Sequence, residues 1–186
     1  QQPHNSFGMV GVAPDHVRLV SLQINGGMSQ LIEALDMAMD IGVDVISMSL
    51  SYEISTHSSS VRRLLETALM NAQRRNIILV SAAGNYNEDS HDRYPCWYGG
   101  PNAMCVAALS NDANYTLADF SNFGQRVDIA AFGEHVYTGT YGVAAHVFSS
   151  GTSFATPMVS AASAILLSLG VEPRMIKRVL LSGVDR

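Results

Sequence analysis

One serine in this chain stands where a hydroxyl could act as a nucleophile. Ser153 follows the glycine turn Ser149-Ser-Gly151 and begins a segment of small and apolar residues that runs to Leu169. This pattern is typical of a buried helix, whose first N–H groups are unpaired and carry a positive potential. An anion formed beside Ser153 would be stabilised there, as acyl transfer requires. A lone serine at this point is equally the common N-cap of a helix.

A second candidate is Asn85, which follows the apolar run Ile77–Ala83 through Gly84. A side-chain amide is neutral and always offers a donor, so at the end of a strand it could bind a developing oxyanion. The pair Gly84-Asn85 is also typical of a simple turn. The chemistry of Asn85 and Ser153 therefore depends on the elements that position them.

Apolar runs separated by turn residues predict the strands. Several runs are apolar at nearly every position, which is typical of strands covered on both faces in a parallel sheet. The four stronger runs and the weaker fifth are Val17–Ile24, Val43–Leu50, Ile77–Ala83, Met104–Leu109 and Val127–Ala131.

Apolar residues at helical spacing predict the helices that cover this sheet. Ser29 is a candidate N-cap of the first helix, and Pro173 lies in the first turn of the last. A length of 186 residues suits one α/β domain, residues 1–186, with a doubly wound, mostly parallel sheet and helices on both faces. Its sites should lie beyond the carboxyl ends of the strands. The predicted helices are Ser29–Met39, Ser59–Asn76, Ser153–Leu169 and Glu172–Ser182.

Composition and charge exclude several classes of protein and partner. Hydrophobic residues make up 47% and charged residues 15% of the chain, which excludes a disordered chain and a coiled coil. The formal net charge is −5 without a block of like charges, so nucleic acid is not expected as a partner. No apolar run approaches the roughly 20 residues that cross a bilayer, so no membrane span is expected.

The string Gly151-Thr-Ser-Phe-Ala-Thr-Pro157 resembles the nucleophile motif of the subtilisin-like serine peptidases. Val43–Leu50 is similar to the substrate-binding strand of that family, and Leu79–Asn85 to the strand that ends in its oxyanion-hole asparagine. Phe7–Pro14 and Asp119–Gly124 are similar to further family segments, in the same order. The resemblance covers nearly the whole chain and implies a subtilisin-like serine endopeptidase domain.

This resemblance implies a role for each candidate residue. Ser153 would attack the scissile carbonyl to form an acyl-enzyme, and Asn85 would donate to the oxyanion. The backbone of a polypeptide substrate would pair as an added strand with Ser49–Ser51. The side chain before its scissile bond would lie against Ala82–Gly84. The family usually has Gly where this chain has Ser51, so a narrower pocket entrance is expected. The implied substrate-binding residues are Ser49, Leu50, Ser51, Ala82, Ala83 and Gly84.

A serine nucleophile needs a general base that is oriented by a carboxylate. The family supplies them from an Asp-Thr/Ser-Gly turn and a His-Gly-Thr-His helix start, both ahead of the segment that Asn5–Pro14 matches. Neither motif occurs in this sequence, and none of its six histidines lies in a matching context. We therefore expect an N-terminally incomplete domain whose Asp and His come from a preceding segment or a separate N-terminal chain. Alone, the chain is expected to be essentially inactive.

Two other functions are open to this sequence. One is a noncatalytic homologue that binds peptides or regulates another protein, which is distinguished by whether an Asp and a His belong to the same protein. The other is an α/β-hydrolase esterase, which fits worse because its elbow is Gly-x-Ser-x-Gly and Ser153 is followed by Phe154-Ala155.

The resemblance also implies a structural Ca²⁺. The segment His4–Met9 is similar to the calcium loop of the family, in which hard oxygen ligands come from side chains and backbone carbonyls. Asn5 would offer its side-chain oxygen, and Phe7 and Met9 their carbonyls.

The two cysteines of the chain, Cys96 and Cys105, either form a disulfide or remain buried thiols. The secretory habit of the family and the sequon Asn114-Tyr-Thr116 favour the disulfide. By resemblance we expect a secreted protein or one of the secretory pathway.

Overall fold

A computed structural model describes residues 11–13, 17–139 and 146–184 of the chain. Its strands are β1 (Val45–Met48), β2 (Tyr52–Glu53), β3 (Ile78–Ala82), β4 (Arg93–Tyr94), β5 (Ala103–Leu109), β6 (Ile129–Phe132), β7 (Val136–Gly139) and β8 (His146–Ser149). Four of them form a parallel sheet in the order β1-β3-β5-β6. The pairs β2-β4 and β7-β8 are antiparallel and lie outside that sheet.

The helices of the described residues are α1 (Met28–Ile41), α2 (Ser59–Arg74), α3 (Thr152–Ser168) and α4 (Pro173–Ser182). The Oγ of Ser58 caps α2 by accepting from the Val61 N–H at 3.4 Å. The predicted N-cap at Ser29 is wrong, because α1 begins at Met28 after an N-cap at Gly27. The side chain of Met28 is buried in the core, so the apolar stripe of the helix starts before Ser29.

Both faces of the parallel sheet are covered, as the sequence predicts. Successive residues of a strand point to opposite faces. Leu79 of β3 therefore packs in the core that α1 and α2 form, whereas its neighbours Ile78 and Val80 pack with Val159 of α3 and Ile176 of α4. This is the expected α/β arrangement with helices on both faces of the sheet.

The predicted strand Val17–Ile24 is wrong. The segment forms no strand, and the side chain of Leu19 is 88% exposed. A strand needs a hydrogen-bonded neighbour, and within the described sheet β1 pairs with β3 alone and ends the strand order. The apolar composition of Val17–Ile24 does not show whether another strand pairs with it. The other four predicted runs each overlap a strand of the parallel sheet, including the weaker Val127–Ala131, whose strand extends to Phe132.

A disulfide joins the loop after β3 to β5. Cys96 lies in a short 3₁₀ turn, Cys96–Tyr98, and is bonded to Cys105. Of the two alternatives left by the sequence, the structure thus contains the disulfide and not two buried thiols. Ala83 packs against the two half-cystines, so the end of β3 is tied to this loop.

Among the helices of the described residues, no single one is long and apolar enough to cross a membrane. Taken together, α3 and α4 reach that length and composition, but the chain bends by 120° between them.

Candidate active site

The ends of two neighbouring strands meet the start of α3 at one edge of the sheet. Parallel strands end at the same edge, and crevices for ligands form there. Ser49 follows β1, Asn85 follows β3, and Ser153 lies in the first turn of α3. The fold thus brings together the nucleophile and oxyanion residues that the sequence predicts.

Ser153 and Ser49 are joined by two hydrogen bonds. The Ser153 hydroxyl donates to the Ser49 carbonyl at 3.3 Å, and the Ser49 hydroxyl donates to the Ser153 carbonyl at 2.9 Å. The Ser153 carbonyl receives no helical N–H because Pro157 stands four residues further along and has none to give. Ser49 supplies the missing donor, so the start of α3 is held against the end of β1.

The side chain of Asn85 is oriented by Thr152. Asn85 Oδ1 accepts from both the backbone N–H and the hydroxyl of Thr152, each at 2.8 Å. The amide nitrogen Nδ2 is therefore the end that faces away from these contacts. A Cβ added to Gly151 would lie 3.2 Å from this Nδ2, so the donor stands at the start of α3.

Two N–H donors lie near one point at the start of α3, at 3.2 and 3.7 Å from the position that a Cβ on Gly151 would take. One is Asn85 Nδ2, and the other is the backbone N–H of Ser153, which has no acceptor inside α3 because it belongs to the first turn. Fixed donors of this kind stabilise the negative charge that develops when a serine attacks a carbonyl. An oxyanion hole at this helix N-terminus stays a prediction for Asn85 and Ser153.

Sequence reasoning missed Asn122, which is fully buried beside this site. Its Nδ2 donates to the Ala83 carbonyl at 3.1 Å, and its Oδ1 accepts from the N–H groups of Tyr86 at 2.8 Å and Glu88 at 3.4 Å. These contacts lie on both sides of Asn85 along the chain. The sequence signal was its place in a segment that resembles the family, but residue type alone does not show which groups a side chain bonds.

The two segments predicted to bind substrate face each other. The Oγ of Ser51 lies 3.6 Å from the position that a Cβ on Gly84 would take. This Oγ is buried and has no hydrogen-bond partner among the described residues. Ala82 and Ala83 are buried as well. Peptide binding stays a prediction for Ser49, Leu50, Ser51, Ala82, Ala83 and Gly84.

None of the histidines whose side chains are described is hydrogen-bonded to Ser153. His57 Nδ1 lies 3.0 Å from the Thr56 hydroxyl, and the ring of His91 packs on Trp97 at 4.4 Å between centroids. The side chains of His57 and His91 are therefore engaged with residues other than Ser153. The histidines whose side chains are not described are His4, His16 and His146.

A buried tyrosine anchors the loop after Asn85 to α2. The hydroxyl of Tyr94 donates to Glu66 Oε1 at 2.8 Å and accepts from Arg62 Nη2 at 3.1 Å. Burial, with a further contribution from Glu66, raises the pKa of Tyr94 to about 12. The hydrogen bond from Arg62 lowers the pKa of Glu66. The three groups therefore hold the loop most firmly while Tyr94 is protonated and Glu66 is ionised.

In the part of the chain that the structure describes, no group of three or more His, Cys, Asp or Glu side chains could hold a metal ion. The predicted calcium residues Asn5, Phe7 and Met9 lie outside the described residues. Calcium therefore stays a prediction from the sequence.

The sequence is similar to the subtilase family and to proteases within it. The model of the subtilase family matches residues 1–184. The chain is 36% identical over 169 residues to the thermostable alkaline protease of Halalkalibacterium halodurans, a match covering 89% of this chain and 44% of that protein. It is 32% identical over 187 residues to thermitase of Thermoactinomyces vulgaris, a match covering 98% of this chain and 63% of that protein. It is also 35% identical over 167 residues to subtilisin BL of Lederbergia lenta, a match covering 88% of this chain and 58% of that protein.

Solved structures agree with the sequence matches. A cold-adapted subtilisin-like serine proteinase has a TM-score of 0.72 and 28% identity, with 89% of this chain and 57% of that chain covered. The prenylagaramide maturation protease PagA has a TM-score of 0.73 and 26% identity, with 95% of this chain and 66% of that chain covered. The predicted subtilisin-like α/β fold is thereby confirmed. The chain spans 44% to 63% of the three curated relatives' length.

Proposed function

Because the chain belongs to the subtilase family, we propose that it is the nucleophile-bearing part of a serine endopeptidase domain. The observation that carries this proposal is the orientation of Asn85. Its Oδ1 is taken by the N–H and hydroxyl of Thr152, so its Nδ2 is the donor available beside Ser153. A side-chain amide held in this way suits a developing oxyanion.

In the proposed reaction, Ser153 Oγ attacks the carbonyl carbon of the scissile peptide bond. A general base takes the hydroxyl proton, and the carbonyl oxygen becomes an oxyanion bound by Asn85 Nδ2 and the Ser153 N–H. The C–N bond then breaks as the base returns the proton to the leaving amine. Water, activated by the same base, hydrolyses the resulting ester and restores the Ser153 hydroxyl.

We propose that the base and its carboxylate partner, His and Asp, are supplied by a segment or chain outside these residues. Two observations support this. The Ser153 hydroxyl donates to the Ser49 carbonyl, and the side chains of His57 and His91 make contacts elsewhere. Alone, the chain is therefore expected to be essentially inactive. Loss of the catalytic histidine in subtilisin, a member of the same family, lowers turnover about 10⁶-fold.

The proposed substrate is a polypeptide in extended conformation. Its backbone would add as a strand to residues Ser49-Leu50-Ser51, and the side chain before the scissile bond would enter between this segment and Ala82-Ala83-Gly84. The buried hydroxyl of Ser51 lies close to Gly84, which supports a shallow pocket.

A secreted or secretory-pathway location is likewise a proposal. The Cys96–Cys105 disulfide supports it, since disulfides persist in oxidising compartments. Structural Ca²⁺ held in part by Asn5, Phe7 and Met9 is proposed on the sequence alone. A rise in the melting temperature of the full-length protein with Ca²⁺ over EGTA would support it, and equal melting temperatures would refute it.

Hydrolysis of a peptide library by the full-length protein tests the proposal. We expect cleavage by the wild type and none by the Ser153→Ala variant. The 186-residue chain alone should cleave at the background rate. A full-length wild type that binds peptides without cleaving them would instead support the noncatalytic alternative.

A further inference from the structure

The loop that carries Asn85 is clamped by one side chain from another part of the fold. Asn122 lies in the segment between β5 and β6 and is 0% exposed. Its amide makes three hydrogen bonds to backbone groups of the Asn85 loop, at Ala83, Tyr86 and Glu88. Its own backbone N–H donates to the Gly84 carbonyl at 2.9 Å. The residues on either side of Asn85 are therefore fixed to a single buried partner.

The clamp and the glycine before Asn85 are complementary in shape. Gly84 has a φ of +112°, and a Cβ at this position would lie 2.5 Å from Asn122 Nδ2. Any larger residue would displace either the loop or the amide. The position of Asn122 is itself held by Ser121, whose hydroxyl donates to the Asn122 carbonyl at 3.0 Å and accepts from the Ala108 N–H at 2.9 Å. The clamp is thus anchored to β5.

We propose that Asn122 is a positioning residue for the oxyanion hole, acting through Asn85. This inference rests on the proposed function. Asn85 is held on one side by Thr152 and on the other by the backbone that Asn122 fixes. Without the clamp, the Asn85 side chain is free to move relative to Ser153. A displacement of about 1 Å in such a site lowers turnover by about 100-fold.

A double-mutant cycle in the full-length protein tests this inference. The variants are Asn122→Ala, Asn85→Ala and the double variant, and the readouts are kcat and KM for a cleaved peptide. A positioning role predicts that Asn122→Ala lowers kcat about 10- to 100-fold with little change in KM. In the Asn85→Ala background the same change should lower kcat less than about threefold, because the group it positions is gone.

Asn102→Ala is the matched control. Asn102 is the same residue type, is 3% exposed and precedes β5 away from the start of α3. Its side-chain oxygen is buried without a hydrogen-bond partner in the part of the chain that the structure describes, so its replacement breaks no bond of that oxygen and should leave kcat unchanged. If Asn122→Ala fails to fold, Asn122→Ser takes its place in the cycle, because a hydroxyl keeps one of the bonds in a smaller volume.

The outcomes separate this inference from the proposed function. Equal losses of kcat in both backgrounds, or an unchanged kcat with a lowered melting temperature, overturn the positioning role and leave the peptidase intact. A full-length wild type without turnover overturns both.

Discussion

The hydroxyl of Ser49 donates to the carbonyl of Ser153 at 2.9 Å, and this bond replaces one that the helix cannot make. Pro157 has no N–H for the Ser153 carbonyl, so the first turn of α3 depends on the end of β1. The proposed nucleophile, Ser153, is thereby tied to the segment after β1, which is also predicted to bind substrate. The string Gly151–Pro157 thus determines a contact with Ser49 as well as containing the proposed nucleophile, Ser153.

Replacing Ser49 with Ala should loosen the first turn of α3. The lost hydrogen bond is worth about 1 kcal/mol of stability. We expect a lower melting temperature and a several-fold lower kcat in the full-length protein, because Ser153 loses a fixed contact. Ser55→Ala is the control, since Ser55 is exposed and bonded to Glu53 away from the site. A Ser49→Ala variant as active and stable as Ser55→Ala would contradict the role assigned to this bond.

Replacing Asn85 with Ala removes one oxyanion donor. We expect kcat to fall about 100- to 1,000-fold with KM nearly unchanged, the range known for the oxyanion-hole asparagine of subtilisin, a member of the same family. The measurement is steady-state kinetics on a peptide substrate. A loss confined to KM would show that Asn85 binds the substrate equally in the ground and transition states.

Stability at alkaline pH should depend on Tyr94. The folded pKa of about 12 lies above the ordinary value of 10, so the folded state holds the phenol proton more tightly than the unfolded state does. The stability that Tyr94 contributes is therefore complete below pH 10 and is lost as the pH rises toward 12. Melting temperatures between these limits should fall more steeply for the wild type than for Tyr94→Phe.

Tyr115→Phe is the control for the alkaline experiment, because Tyr115 is 61% exposed. Its melting curve should follow that of the wild type across the same range. If Tyr94→Phe also follows the wild type, the raised pKa of Tyr94 does not govern alkaline stability.

Replacing Ser51 with Gly should widen the proposed substrate pocket. The hydroxyl is buried close to Gly84, so its removal makes room for larger side chains. We expect the ratio of kcat/KM for phenylalanine over alanine before the scissile bond to rise in the full-length protein. The same ratio in Ser51→Gly and wild type would place the pocket elsewhere. Ser55→Gly controls for the flexibility that glycine adds.

The sequence predicted most of the fold because burial on both faces leaves a clear pattern. Ile78, Leu79 and Val80 are apolar in a row since each faces a core. The same rule failed for Val17–Ile24, because an apolar run does not reveal whether a neighbouring strand pairs with it. Pairing depends on residues far away in the chain, which no local pattern contains.

At the site, the motif predicted Ser153 and Asn85 but not the residues that hold them. Thr152 lies within the motif, yet its two bonds to Asn85 depend on the side-chain rotamers. Asn122 gave no chemical signal, because a buried asparagine and a turn asparagine look alike in sequence. Contacts between residues that are distant in the sequence are therefore visible only in the structure.

Covalent labelling tests the central claim most directly. A peptidyl phosphonate is incubated with the full-length protein, and the modified residue is identified by mass spectrometry in the wild type and in the Ser153→Ala variant. We expect a single adduct on Ser153, formed more slowly in Asn85→Ala and absent in Ser153→Ala. A wild type that forms no adduct, or forms it on another residue, would contradict the assignment of Ser153 as the nucleophile.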